Sequence, residues 1–114
     1  MSRISTHVLD TAQGAPAKDL NVRLERHNHS GEWQVVGTGR TGQDGRCSEL
    51  LPEGEKLAAG VYRLSFDTAN YFAAHGVHGL YPIVQVTFSV RDGETHFHIP
   101  LLLSPHGYTT YRGS

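Results

Sequence analysis

The sequence predicts an all-β sandwich of seven or eight short strands with one short helix. Three observations predict it. Apolar and polar residues alternate with period two in segment after segment, each bounded by clusters of Gly, Asp, Asn or Pro. Only residues 67–76 depart from that period, with a capping residue, paired alanines and a closing glycine that suit a single turn or two of helix. No internal repeat divides the chain, so the strands must share one core.

Residues 4–10 are rich in aliphatic and β-branched side chains and run into the turn cluster Asp10-Thr-Ala-Gln-Gly14, which defines a first strand. Alternation groups Ile4, Thr6 and Val8 on one face, and Ser5, His7 and Leu9 on the other. A second strand begins at Leu20, with Leu20, Val22 and Leu24 inward and Asn21, Arg23 and Glu25 outward. The polar stretch His27 to Gly31 reads as a hairpin loop into a strand from Trp33 to Val36.

Residues 37–46 are glycine-rich but lack the Gly-Lys-Ser/Thr ending, and no helix pattern follows, which argues against a phosphate cradle. Asp44-Gly45 is instead expected to form a tight hairpin turn, with Arg46 opening a strand through Leu51. A polar loop from Pro52 to Gly60 precedes a strand at residues 61–66, where Tyr62, Leu64 and Phe66 share a face. After the helix, Pro82 opens a strand with Val84, Val86, Phe88 and Val90 together, and Asp92-Gly93 turns it. The returning strand sets Phe97, Ile99, Leu101 and Leu103 against His96, His98, Pro100 and Leu102. A turn at residues 104–107 leads to a short last strand.

At 114 residues the chain has material for one core, and a single domain over residues 1–114 is expected. A net charge of −1 offers no electrostatic attraction to nucleic acid or to an anionic membrane. No apolar run approaches the length of a spanning helix and no charged-then-apolar leader is present, so a cytoplasmic location is the expectation. Cys47 is the only cysteine and has no partner for an internal disulfide.

Eight histidines are many for so short a chain, and two of them, His7 and His98, lie opposite the clearer apolar set of their strands. A lone strand histidine is ordinarily a solvent-facing residue. The face of His98, however, also carries Pro100 and Leu102, a semi-apolar outer surface of the kind that another subunit covers. Tyr111, Arg112 and Ser114 follow closely in sequence. One chemistry open to these groups is metal binding by His96, His98 and His7, although no cysteine or carboxylate stands at ligand spacing beside them. The other is hydrolysis without metal, in which imidazoles move protons and a guanidinium orients the substrate oxygen. A Ser-His-Asp triad is disfavoured because no serine sits in a nucleophile elbow, and alternation turns Cys47 toward the core.

The segments Ser5-Thr-His-Val-Leu-Asp10, Asp44-Gly-Arg46, His98-Ile-Pro-Leu-Leu-Leu-Ser104 and Tyr111-Arg-Gly-Ser114, in this order, resemble the signature segments of the 5-hydroxyisourate hydrolases, the transthyretin-related enzymes of urate breakdown. The resemblance runs from His7 to Ser114. It implies a transthyretin-like sandwich, assembled as a homotetramer, a dimer of dimers with sites in the channel between them. It also implies cofactor-free hydrolysis of the cyclic amide C–N bond of 5-hydroxyisourate to 2-oxo-4-hydroxy-4-carboxy-5-ureidoimidazoline. By matching motifs, His7, Arg46 and His98 take the catalytic positions, while Tyr111, Arg112, Gly113 and Ser114 take the substrate-contacting ones, with no metal. His106 and Thr109 depart from the usual residues and receive no role, and the role of His96 stays open. The alternative that fits the same fold is a carrier of a small hydrophobic ligand.

Overall fold

A computed structural model describes residues 2–114. The elements in chain order are β1 (Arg3–Asp10), β2 (Ala15–Pro16), β3 (Asn21–His27), β4 (Trp33–Arg40), β5 (Arg46–Cys47), β6 (Gly60–Phe66), α1 (Thr68–Ala74), β7 (Val84–Val90), β8 (His96–Ser104) and β9 (Gly107–Thr110). One sheet runs β2-β1-β8-β9, with β5 also pairing to β1, and the second runs β4-β3-β6-β7. Every pairing is antiparallel except β1 with β8, which is parallel. Seven strands of four residues or more and two of only two residues therefore make the expected two-sheet sandwich.

The expected inward set is the observed core. Ile4 and Val8 from β1, and Ile99, Leu101 and Leu103 from β8, meet Leu24, Leu64, Phe66 and Val84 of the other sheet. The helix is held where its cap requires: the Asp67 side chain accepts the Asn70 amide, and Gly76, at φ +70°, ends the turn that follows. The Tyr71 hydroxyl donates to the buried carboxylate of Asp10 at 2.7 Å and ties α1 to the end of β1.

The structure departs from the expectations at several points. β4 continues past Val36 to Arg40, through the glycines. The strand expected from Arg46 to Leu51 stops at Cys47, and β5 pairs with β1 in the opposite sheet. Asp44-Gly45 consequently links the two sheets; it does not close a hairpin between neighbours. The physical reason lies in Gly37 and Gly39. A Cβ on Gly37 would fall on the Leu50 carbonyl, and one on Gly39 would stand 2.5 Å from Cys47 Sγ. The glycines let the 47–50 segment cross β4 closely and drop Leu50 into the core, fully buried. The short β2, which forms a hairpin with the end of β1, was not expected. Finally, Glu25 faces outward as expected but is only 4 % exposed, because Arg63 and Ser65 of β6 close over it.

Candidate active site

Three neighbouring strands, β5, β1 and β8, set the site. Arg46 stands directly opposite His7, and Ser5 directly opposite His98. Ser5 and His7 are two residues apart on β1 and share its outer face, while the intervening Thr6 is buried with Cys47 and Ile99. Arg46, His7 and His98 thus come from the beginning, middle and end of the chain to one outer sheet surface, spread over about 10 Å, two strand spacings.

His7 and His98 each have one well-defined protein partner, Arg46 has a loose one, and the rest of their polar atoms are available. His7 Nε2 lies 2.8 Å from the Asp44 carbonyl. A carbonyl only accepts, so Nε2 carries the hydrogen and, in the neutral ring, Nδ1 keeps the lone pair. His98 Nδ1 lies 2.8 Å from Ser5 Oγ, which fixes the ring. Asp44 Oδ1 accepts the Arg46 amide at 3.0 Å, whereas the contact of Asp44 Oδ2 with Arg46 Nε, at 3.9 Å and solvent-exposed, holds the guanidinium only weakly. Partial burial lowers the His98 pKa from its ordinary value, and the nearby charges of Arg46, His7 and Arg3 lower it further. His98 is therefore a neutral imidazole at neutral pH.

The C-terminal segment lies along the same strand. β9 pairs with β8 from Gly107 to Thr110, and the ladder is interrupted opposite Pro100, which has no N–H to give. It resumes in the same register at Gly113, whose amide donates to the His98 carbonyl at 2.7 Å. A Cβ on Gly113 would stand 2.6 Å from His98 Cδ2 and 3.2 Å from Pro100 Cγ. Glycine is required here because the imidazole occupies the space. Alternation puts Tyr111, which is largely exposed, on the face of Gly113 and His98. The same alternation sends Arg112 to the opposite face, where its guanidinium lies 4.4 Å from the centroid of the Phe97 ring. Of the residues expected to form the site, His7, Arg46, His98, Tyr111 and Gly113 share one surface, and Arg112 does not join them.

The site is an open sheet face, whereas a groove of about 630 Å³ is on the other sheet between Asn21, Arg23, Thr38, Arg40, Ser65 and Ile83. Among the described residues no group of three His, Cys, Asp or Glu side chains is placed to hold a metal ion. Two contributors escaped the sequence reading. Ser5 had a signal, since alternation already put it on the face of His7, but its pairing with His98 depends on a parallel register that no local pattern reveals. The Asp44 carbonyl acts through the backbone and has no side-chain signature.

The model of the HIUase/Transthyretin family matches residues 4–113. The chain is 46% identical over 118 residues to a 5-hydroxyisourate hydrolase of Ralstonia nicotianae, covering 100% of each. It is also 46% identical to the mouse (Mus musculus) 5-hydroxyisourate hydrolase, covering 99% of this chain and 96% of that one. Among solved structures, sea bream transthyretin in complex with thyroxine superposes with a TM-score of 0.89 at 32% identity, over 96% of this chain and 93% of that one. Klebsiella pneumoniae 5-hydroxyisourate hydrolase gives 0.84 at 34% identity, over 99% of this chain and 100% of the other. The sandwich, the parallel β1–β8 pair and the full-length matches lead to one conclusion: the chain belongs to the HIUase/Transthyretin family.

Proposed function

We propose that this chain is a cofactor-independent hydrolase that opens the cyclic amide of 5-hydroxyisourate, giving 2-oxo-4-hydroxy-4-carboxy-5-ureidoimidazoline. The observation that carries this reading is the grouping of His7, Arg46 and His98 on adjacent strands, each with polar atoms left over for a substrate. A neutral His98 suits withdrawal of a proton from water as its oxygen adds to the ring carbonyl carbon. The Arg46 guanidinium suits the negative charge that develops on the carbonyl oxygen. The C–N bond then breaks, and the proton held by the imidazole pair goes to the departing nitrogen. Tyr111, Gly113 and Ser114 are assigned to the substrate surface beside His98.

The same reading includes a homotetramer, a dimer of dimers. Support comes from Leu80, Tyr81, Ile83 and Tyr108, all exposed, and from β7 and β9, which stand at the sheet edges with one side unpaired. No helix among the described residues is long and apolar enough to cross a membrane, and the reading places the enzyme in the cytoplasm.

Freshly generated 5-hydroxyisourate should decay faster with the protein, and His98→Asn should lower that catalysis by about 10²–10⁴-fold, the range for loss of a positioned acid-base group. An unchanged decay curve contradicts the proposal. The likeness to thyroxine-bound sea bream transthyretin supports a second reading, a carrier of a small hydrophobic ligand. Fold likeness by itself does not decide function, and buried or half-buried imidazoles add little to an apolar ligand site. Tight binding of an iodinated thyronine by calorimetry, without turnover of 5-hydroxyisourate, would favour the carrier.

A further inference from the structure

Residues 111–114 divide their side chains between two faces, and the one that leaves the site is anchored. The turn after β7 is built around Glu94: the Arg91 amide donates to Oε1 at 2.9 Å and the Glu94 amide donates to the Arg91 carbonyl at 3.2 Å. Its other oxygen, Oε2, accepts Arg112 Nη1 at 3.2 Å. The same guanidinium covers the Phe97 ring at 4.4 Å and reaches the His96 carbonyl from Nη2 at 3.5 Å. Phe97 in turn packs against Phe88, with ring centroids 5.6 Å apart. Arg112 is thus held one residue before the Gly113–His98 backbone bond.

The segment needs such an anchor. Pro100 interrupts the β8–β9 ladder, so beyond Thr110 the backbone meets β8 again at the Gly113–His98 bridge, with the Thr110 hydroxyl on the Pro100 carbonyl just before it. A segment attached by so few backbone bonds opens locally. We propose that Glu94 is a positioning residue that, through Arg112, keeps the C-terminal segment docked against His98 and so keeps the Tyr111 and Gly113 surface formed before substrate arrives. This inference rests on the reading of the outer face as the hydrolase site.

The test compares full-length wild type, Glu94→Gln and Arg112→Ala by steady-state kinetics on 5-hydroxyisourate and by hydrogen exchange at the Gly113 amide. An exposed ion pair is a modest contact, so Glu94→Gln should raise KM about two- to fivefold with kcat and Tm unchanged, because substrate binding must then redock the segment. Exchange at Gly113 should accelerate by a similar factor. Arg112→Ala, which also loses the ring contact, should exceed Glu94→Gln on both measures. Unchanged KM and unchanged Gly113 exchange in Glu94→Gln would overturn the proposal. So would a fall in Tm and kcat at constant KM, which marks a global lesion. Wild type that fails to accelerate substrate decay would instead overturn the hydrolase reading, and Gly113 exchange would still show whether Glu94 anchors the segment.

Discussion

The outer faces of the two sheets both display charged groups, and they use them in opposite ways. On the β4-β3-β6-β7 sheet, Glu25, Arg63 and Ser65 satisfy one another. Glu25 takes two hydrogen bonds from Arg63, each 3.0 Å, and a third from Ser65 at 2.6 Å, while Arg63 also lies over the Trp33 ring at 4.1 Å. Burial alone would raise the Glu25 pKa, but the hydrogen bonds of Arg63 and Ser65 and the charges of Arg63 and Arg23 outweigh it and hold the carboxyl below its usual range. On the β5-β1-β8 surface, His7 and His98 each have one partner and Arg46 a loose one. A closed network is architecture; groups with open valences are available to a ligand. The groove of about 630 Å³ borders the closed network.

Substitutions can break this contrast. Glu25→Ala leaves Arg63 without its partner and should cost about 2–3 kcal/mol of stability, at or just below the range for breaking a buried pair, read by urea denaturation. Its activity per folded molecule should equal that of wild type. If activity fell while stability held, the two faces would not be separate in role. Gly113→Ala should do the reverse. The added Cβ displaces the His98 ring, lowering kcat/KM about tenfold, as a misplacement well under 1 Å at a catalytic group does, with little change in stability.

The smallest effect is in pH dependence. Since the folded pKa of His98 lies below its ordinary value, the unfolded chain binds more protons between the two values, and its contribution to stability falls as pH drops through that window. The acid limb of kcat/KM should accordingly lie below the ordinary histidine value of 6.5. A limb above 6.5 would contradict the described environment of His98.

Much of this was legible in the residues. Period-two alternation in β3, β6, β7 and β8 placed the core, and it put His7 and His98 on outer faces. What alternation does not carry is which strand lies beside which. The parallel β1–β8 register that pairs Ser5 with His98, and the crossing of β5 to β1, depend on long-range packing that no window of residues contains. The glycines at 37 and 39 looked like loop residues because their purpose, the close passage of Leu50 and Cys47, is visible only in three dimensions. Arg112 was grouped with its neighbours by motif, and the same alternation rule, applied across the Pro100 interruption, separates it from them.

The central claim is that substrate meets the open face and not the groove beside Arg23 and Arg40. A crystal structure of the assembled protein with a purine analogue bound tests it most directly. The account predicts the analogue against His7, Arg46, His98 and Tyr111, with the guanidinium of Arg112 still on Glu94. An analogue seated between Arg23 and Arg40, with the imidazoles untouched, would contradict it.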